Sequence, residues 1–174
     1  NGREVLFNTK DELSAQIPQL NKRFRTYEAF ANADIEEVFG QDLLENAEIK
    51  EVYTLQSMFL RNKGDFNFEP LPLPQDVQYS SIHAAIHDDF NNDNKLELLL
   101  LGNRFDLNTQ LGQLDANRGL ILEYENQRFK VWKNHDLKAY GSINSAEFIN
   151  VNNEKWLILG RNNDSLKLFR KIRK

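Results

Sequence analysis

Apolar and polar residues alternate along most of the chain beyond residue 48, and this period of two limits the fold more than any other feature. Such alternation is typical of β-strands with one buried face. The predicted strands span residues 52–61 and 66–71, then 80–87, 96–101, 119–124 and 129–132, and finally 146–151, 155–159 and 166–169. Their grouping predicts a mainly β fold of antiparallel sheets, in series of two, four and three strands.

Residues 1–47 show helical spacing instead and predict a set of short helices. Asn8 or Thr9 can cap a helix that opens at residue 10, and Asp34 can cap another over residues 35–39 that stops at Gly40. Pro18 lies inside the first apolar stripe, so two short helices are expected there rather than one long helix. The absence of a heptad repeat suits a lid or an insertion better than a bundle.

A short internal repeat accompanies the strands. The segment 98–103, LLLLGN, aligns with the segment 156–161, WLILGR, 58 residues further along the chain. A four-stranded unit that recurs every 40–60 residues or so is typical of β-propeller blades, although two buried apolar strands can also match by chance. A last series of three strands suits a ring that borrows its fourth strand from the other terminus. We therefore expect a C-terminal propeller fragment that a longer chain precedes.

Composition excludes several classes of protein. The 174 residues include no Cys, so disulfides, thiolate metal sites and cysteine nucleophiles are excluded. No apolar run approaches the ~20 residues of a membrane-spanning helix, and the net charge of −4 argues against a nucleic-acid partner. The chain begins at Asn1 without Met or a signal peptide, so we expect a trimmed or cleaved product. Its 21 Asn are expected to build many of the turns.

The segment 89–97, DFNNDNKLE, carries the most specific chemistry. Oxygen-bearing side chains stand at its positions 1, 3, 5 and 9, and position 7 can offer a backbone carbonyl. Ca²⁺ takes ~6–8 oxygen ligands, and alternate residues of a tight loop can direct them inward. An empty, solvated Asp/Asn-rich turn is the alternative. The predicted calcium ligands are Asp89, Asn91, Asp93, Lys95 through its carbonyl, and Glu97.

The run 86–103, IHDDFNNDNKLELLLLGN, resembles the FG-GAP/VCBS repeat, which builds the seven-bladed β-propeller of integrin alpha chains and of many bacterial surface proteins. The stretches 71–74, 111–120 and 160–164 extend the resemblance to the C-terminal end of the ASPIC/UnbV and cartilage acidic protein family of Bacteroidetes. The resemblance implies the same five calcium positions and four-stranded blades. The acidic spacing is lost over residues 150–154, so one metal loop is expected.

The resemblance also implies an organisation and a function. Residues 1–47 would be a helical insertion, 48–74 the last two strands of one blade, 75–135 a complete blade with the calcium loop, and 136–174 a final, incomplete blade of three strands. We expect a non-catalytic binding or adhesion module, exported to the periplasm, the outer-membrane surface or the medium. Its partners would be the rest of its own propeller and a protein or glycan ligand. The alternatives are a polysaccharide lyase or hydrolase and a purely structural assembly subunit.

Other candidate residues carry weaker patterns. His83 and His87 could form a zinc pair on one strand face, without an evident third ligand, and His135 stands alone. The tail 167–174 holds five cations that could attract an anionic surface. Phe105 and Tyr140 in predicted loops could stack on sugars, whereas Trp132 and Trp156 suit sheet interfaces. The nominal carboxylates for glycoside hydrolysis are Glu36, Glu37, Asp106 and Asp115.

Overall fold

The chain divides into two compact units, Asn1–Tyr53 and Thr54–Lys174. The computed structural model describes residues 4–108, 111–133, 135 and 137–170. The first unit is helical and the second is built from antiparallel sheets, so the protein is mainly β, as predicted. The helices of the first unit are α1 (Lys10–Gln16), α2 (Leu20–Arg23), α3 (Tyr27–Ala31), α4 (Ile35–Phe39) and α5 (Gln41–Glu45).

Local caps define the helices, and the predicted ones are confirmed. Thr9 caps α1 in a capping box with Glu12, whose Oε2 accepts the Thr9 N–H at 2.9 Å. Asp34 caps α4 in the same way, and Gly40 ends it at φ 82°. The first helix ends before Pro18, and α2 follows it. The described core of this unit consists of Leu20, Phe24, Phe30, Ala33 and Val38.

The second unit contains nine strands in its described part, grouped in sheets of two, four and three. These numbers agree with the strand count from the sequence. The assignment of residues 48–74, 75–135 and 136–174 to blades stays a prediction. The two-stranded sheet contains β1 (Met58–Gly64) and β2 (Asn67–Pro72), the four-stranded sheet β3 (Ile82–Asp88), β4 (Glu97–Gly102), β5 (Leu120–Glu125) and β6 (Arg128–Val131), and the three-stranded sheet β7 (Ile143–Val151), β8 (Glu154–Arg161) and β9 (Lys167–Arg170).

The first strand differs from the prediction at both ends. It begins at Met58 rather than at residue 52, because its partner β2 ends at Pro72, which lies opposite Met58. The chain then turns away through a 3-10 turn over Gln75–Tyr79. The predicted turn at 62–65 is also wrong. The strand runs on to Gly64, and the reversal takes place at Asp65 and Phe66, which have φ values of 49° and 58°.

The four-stranded sheet carries an apolar cluster on each face. Leu99, Leu101 and Ile121 pack against Leu157 and Leu159 of the three-stranded sheet. The opposite face forms a second cluster, which contains Val77, Leu100, Leu122 and Phe129. This alternation explains why β4 is a continuous run of leucines, since both sets of its side chains need apolar neighbours.

The sequence repeat corresponds to equivalent strands. Residues 98–102 of the first segment lie in β4 and the whole segment 156–161 lies in β8, and each strand is the second of its sheet. The repeated glycines lie where a neighbouring strand comes close. A Cβ at Gly102 would overlap the backbone oxygen of Ser81, and one at Gly160 would overlap Ser145 Oγ. The repeat therefore encodes strand position together with close backbone approach.

Asparagine builds many of the turns, as expected. Of the ten described non-glycine residues with positive φ, seven are Asn. Asn152 and Asn153, at φ 51° and 63°, form the two-residue turn between β7 and β8. The described helices are all short, and none of them is long and apolar enough to span a bilayer.

Candidate metal centre

The acidic loop connects β3 to β4. Asp89 directly follows the last residue of β3, and Glu97 is the first residue of β4. Asp88 and Glu97 are partners in the ladder, so the sheet fixes both ends of the loop. Asn92 and Asn94 adopt φ values of 62° and 67°, a left-handed backbone that Asn tolerates better than most residues. These features fold eight residues into a compact bend.

Three carboxylates converge inside this bend. One oxygen from each of Asp89, Asp93 and Glu97 lies within 4.8 Å of the other two. Three like charges at this separation repel one another, and a divalent cation would offset that repulsion. Within the described residues, this is the one group of three or more His, Asp or Glu side chains that is close enough to hold a metal ion. Its all-oxygen donor set fits Ca²⁺.

Backbone N–H groups orient the side chains of the loop. Asp89 Oδ1 accepts the N–H of Asp93 at 3.1 Å, and its Oδ2 accepts that of Asn94 at 3.0 Å. Asn91 Oδ1 accepts the Asp93 N–H at 2.9 Å, and Asp93 Oδ1 accepts that of Lys95 at 2.8 Å. A carboxylate oxygen has more than one acceptor site, so these bonds leave capacity for a cation.

Glu97 is the buried member of the group, with 3% of its surface exposed. Burial raises the pKa of its carboxyl above the usual value, N–H groups of Phe90 and Asn91 oppose that shift, and the Asp93 and Asp89 carboxylates add to it. The Phe90 N–H donates to Glu97 Oε2 at 2.7 Å. A buried carboxylate beside two others is costly without a counter-charge.

The other two predicted ligands are Asn91 and, through its carbonyl, Lys95. Asn91 directs its oxygen to the Asp93 N–H, and the ammonium of Lys95 lies 3.8 Å from Asp93 Oδ2 in an exposed ion pair. Their part in binding a metal stays a prediction.

Asp88 was not among the predicted functional residues, although it anchors the loop. Its Oδ1 accepts a hydrogen bond from Lys155 Nζ on β8 at 2.7 Å. Alternation along β3 places Asp88 on the same face as Ala84 and Ile86, which pack toward the three-stranded sheet. That alternation was the one signal in the sequence that could have identified it.

Four of the other candidate residues are either exposed or hydrogen-bonded to a nearby residue of their own segment. His83 and His87 are exposed on one face of β3. Glu37 closes the capping box of α4 by accepting the Asp34 N–H at 2.9 Å. A hydrogen bond from Arg104, at 3.0 Å, lowers the pKa of Asp106, which makes that carboxyl a poor general acid.

The aromatic and basic candidates are partly exposed. Phe105 and Tyr140 expose 40% and 45% of their surface. The cationic groups of Arg118 and Lys167 each lie 5.4 Å from the centre of the Tyr140 ring. Of the basic tail, residues 167–170 form β9, and residues 171–174 lie outside the described part of the chain.

Comparison with known proteins gives no match to a family model, to a curated protein or to a solved structure.

Proposed function

We propose that this chain is part of a non-catalytic, exported binding module that structural calcium stabilises and that recognises a protein or a glycan. The observation that carries the proposal is the convergence of Asp89, Asp93 and Glu97 in the bend between β3 and β4. These three carboxylates would hold the ion, together with Asn91 and the carbonyl of Lys95. A bound Ca²⁺ would supply positive charge in addition to that of Lys95, the one cationic residue of the loop.

The role proposed for the ion is structural rather than catalytic. The loop joins two strands whose apolar side chains form the centre of the unit, and Asp88 ties its base to Lys155. Neutralising the three carboxylates would fix the loop and, through it, the packing of the two sheets. Such a scaffold suits recognition by the loops at the opposite end of the strands, where Phe105 and Tyr140 are partly exposed.

Propeller architecture of the FG-GAP/VCBS type belongs to the same proposal. Two features support it: antiparallel sheets of two, four and three strands, and a four-stranded sheet with apolar layers on both faces. Stacked sheets of this kind bury both faces, as the blades of a propeller do.

Thermal melting in calcium and in chelator tests the proposal. Because calcium would bind the folded state alone, an excess over its Kd is expected to raise Tm by several degrees. Asp93→Ala should remove this shift, whereas Asp115→Asn, a substitution in an exposed loop, should keep it. An equal Tm of the wild type in both buffers contradicts the calcium part of the proposal.

Ligand recognition needs a separate experiment. The protein is expected to bind members of a glycan array or a surface-protein panel without releasing products. Liberation of reducing sugar or of unsaturated ends from a polysaccharide would instead support the enzyme. The two experiments are independent, so the metal and the recognition parts of the proposal can fail separately.

A further inference from the structure

Tyr140, in the connection between β6 and β7, lies beside two cationic groups. The guanidinium carbon of Arg118 and the Nζ of Lys167 each lie 5.4 Å from the centre of its ring, so the two charges are at most twice that distance apart. Lys167 Nζ also donates to the carbonyl of Lys138 at 2.8 Å, and Lys138 is itself exposed. We call the surface formed by Arg118, Lys138, Tyr140 and Lys167 the basic patch.

Hydrogen bonds between backbone segments hold the basic patch in place. The carbonyl of Arg118 accepts the N–H of Ala139 at 2.9 Å. The buried Asn103 donates from Nδ2 to the carbonyls of Asn117 and Gly141, at 2.7 and 3.0 Å. Each of these two residues is adjacent in sequence to a member of the patch. The backbone of the patch is therefore preorganised, which reduces the entropy that is lost when a ligand binds.

The charges of the basic patch are not neutralised by the carboxylates around it. In the described part of the chain, its three cations form no ion pair, and the guanidinium of Arg118 forms no hydrogen bond. Asp164, on the turn before β9, lies 2.7 Å from Arg161 Nη1. Asp115 is exposed three positions before Arg118 and offsets part of the charge, and Asp136 lies outside the described residues. Three cations therefore face one unpaired described carboxylate, and the N–H groups of Arg118 are available to a ligand.

The basic patch has the chemistry to recognise a sugar that carries a negative charge. A guanidinium binds a carboxylate or a sulfate through two parallel N–H groups, and an ammonium adds a point charge. Tyr140 exposes 45% of its surface beside these cations, and an aromatic ring packs well on the apolar C–H face of a sugar. A nucleic acid or an anionic membrane presents a denser array of charge, which the net charge of −4 on the whole chain repels.

We propose that the basic patch binds an acidic polysaccharide. Arg118 and Lys167 contact carboxylate or sulfate groups of the polymer, and Tyr140 packs against a sugar ring between them. This inference rests on the proposed binding function and names the class of ligand. A polymer suits the patch because its repeated charges can meet the separate cations through different sugar residues.

The acidic loop does not interfere with such a ligand. Glu97 begins β4 beside that loop, whereas Arg118 precedes β5 at the other end of the sheet, since β4 and β5 are antiparallel. The six residues of β4 span roughly 17 Å. That length exceeds the Debye length of ~8 Å at physiological ionic strength, so repulsion between exposed groups at the two ends is largely screened.

Fluorescence anisotropy with two fluorescein-labelled probes tests the inference. A hyaluronan octasaccharide presents carboxylates alone, and a short dextran sulfate presents sulfates alone, so the pair identifies which anionic group is recognised. Saturable binding of at least one probe is expected, and it should weaken as salt is added. Arg118→Gln and Lys167→Gln should each weaken binding about tenfold, and Tyr140→Leu, which keeps an apolar side chain without the ring, about threefold.

The matched control is Arg128→Gln. Arg128 is exposed at the start of β6, so this variant loses the same charge from the opposite end of the β5–β6 hairpin and should bind as the wild type does. Uncharged dextran should not compete with either probe. An oligoglutamate peptide with as many carboxylates as the hyaluronan octasaccharide should bind more weakly, because it offers Tyr140 no sugar ring. Melting curves establish that each variant is folded.

Failure of the wild type to bind either polysaccharide, or equal binding by Arg118→Gln and Arg128→Gln, overturns the inference. Binding of oligoglutamate or of a single-stranded DNA oligonucleotide as tightly as the polysaccharides also overturns it, because the patch would then recognise charge alone. If the wild type instead binds a neutral glycan or a protein, the proposed function survives that result. The metal part is tested separately, since Arg118→Gln should leave any calcium-dependent rise in Tm unchanged.

Discussion

Lys155 Nζ lies 2.7 Å from Asp88 Oδ1, and this contact joins the three-stranded sheet to the strand that leads into the acidic loop. The side chain of Asp88 is 13% exposed and that of Lys155 is 40% exposed, so the pair is partly screened by solvent. The Lys155 ammonium also lies 4.0 Å from the centre of the Phe148 ring. Two residues 67 positions apart therefore position the loop together.

Replacing Lys155 by Met keeps its length and removes its charge. We expect a loss of about 1 kcal/mol in the free energy of unfolding, because Asp88 loses one partner in a half-buried position. Urea denaturation monitored by tryptophan fluorescence measures this. Lys130→Met is the control, since its pair with Glu125 is about half exposed on both sides and should contribute almost nothing. Equal stabilities of the two variants would contradict the role of Asp88 as an anchor.

Glu97→Gln separates the cost of the buried charge from calcium binding. The amide keeps an oxygen for the Phe90 N–H but removes one of three repelling charges, so the variant is expected to melt about 2–4 °C above the wild type in chelator. In calcium the order should reverse, because the wild type gains an ion that the variant holds weakly. Differential scanning fluorimetry in both buffers tests this.

Glu147→Gln serves as the control for that experiment, because Glu147 is exposed on β7. Its melting temperature should be close to that of the wild type in both buffers. A variant Glu97→Gln that melts below the wild type in chelator would show that the carboxylate is not under electrostatic stress.

Local features could be predicted from the sequence and were confirmed. Thr9 and Asp34 cap helices through residues three positions away, and Asn152 and Asn153 turn the chain within two residues. Alternation within a strand, or the short apolar run of β4, is equally local, so the existence of all nine strands could be predicted. The acidic loop was found because its residues are adjacent in sequence, and the structure brings three of its carboxylates together.

Features that depend on a distant partner could not be predicted in this way. Alternation over 52–57 continues that of β1, but a strand needs a neighbour, and β2 ends at Pro72. The turn after β1 lies at Asp65 and Phe66 because ladder register, rather than turn propensity, positions it, although Phe is an unusual residue at φ 58°. The ion pair of Asp88 with Lys155 has the same origin.

Asn103 is a buried polar residue that holds three loops, and 2% of its surface is exposed. Its Nδ2 donates to the carbonyls of Asn117 and Gly141 at 2.7 and 3.0 Å. Its Oδ1 accepts from Ser80 Oγ at 2.8 Å and from the Asn117 N–H at 2.9 Å. Both N–H groups and the oxygen of the Asn103 side-chain amide therefore form hydrogen bonds, as the polar atoms of a buried side chain need to.

Asn103→Asp should therefore lower the free energy of unfolding by more than the small change in side-chain size suggests. A carboxylate cannot donate, so it would face two carbonyl oxygens in a buried site, and we expect a loss of about 3 kcal/mol or more. Asn46→Ala, at an exposed helix end with one bond to the Asp42 carbonyl, is expected to cost under about 0.5 kcal/mol. Urea denaturation midpoints of the two variants test this. A small effect of Asn103→Asp would contradict the role of Asn103 in holding the three loops.

Gly102 and Gly160, the two glycines of the repeat, are expected to differ in whether a second substitution can restore the stability lost on replacement by Ala. A Cβ at Gly102 would overlap the backbone oxygen of Ser81, which cannot move away without breaking the ladder, whereas one at Gly160 would overlap the Oγ of Ser145, a side-chain atom. Gly102→Ala is expected to cost about 2–3 kcal/mol, and no substitution at position 81 should recover the loss. Gly160→Ala should be rescued largely by Ser145→Ala, because that change removes the obstructing atom.

Urea denaturation of the single and double variants measures the coupling between each pair of positions. Gly112→Ala is the control for backbone strain alone, since Gly112 has φ 70° and no atom would lie within 4 Å of the added carbon. It should cost about 1 kcal/mol. Rescue of Gly102→Ala by Ser81→Ala would show that a side-chain atom, rather than the backbone oxygen, limits the approach at Gly102. Failure of Ser145→Ala to rescue Gly160→Ala would show that a backbone atom limits the approach at Gly160. Either result would contradict this distinction.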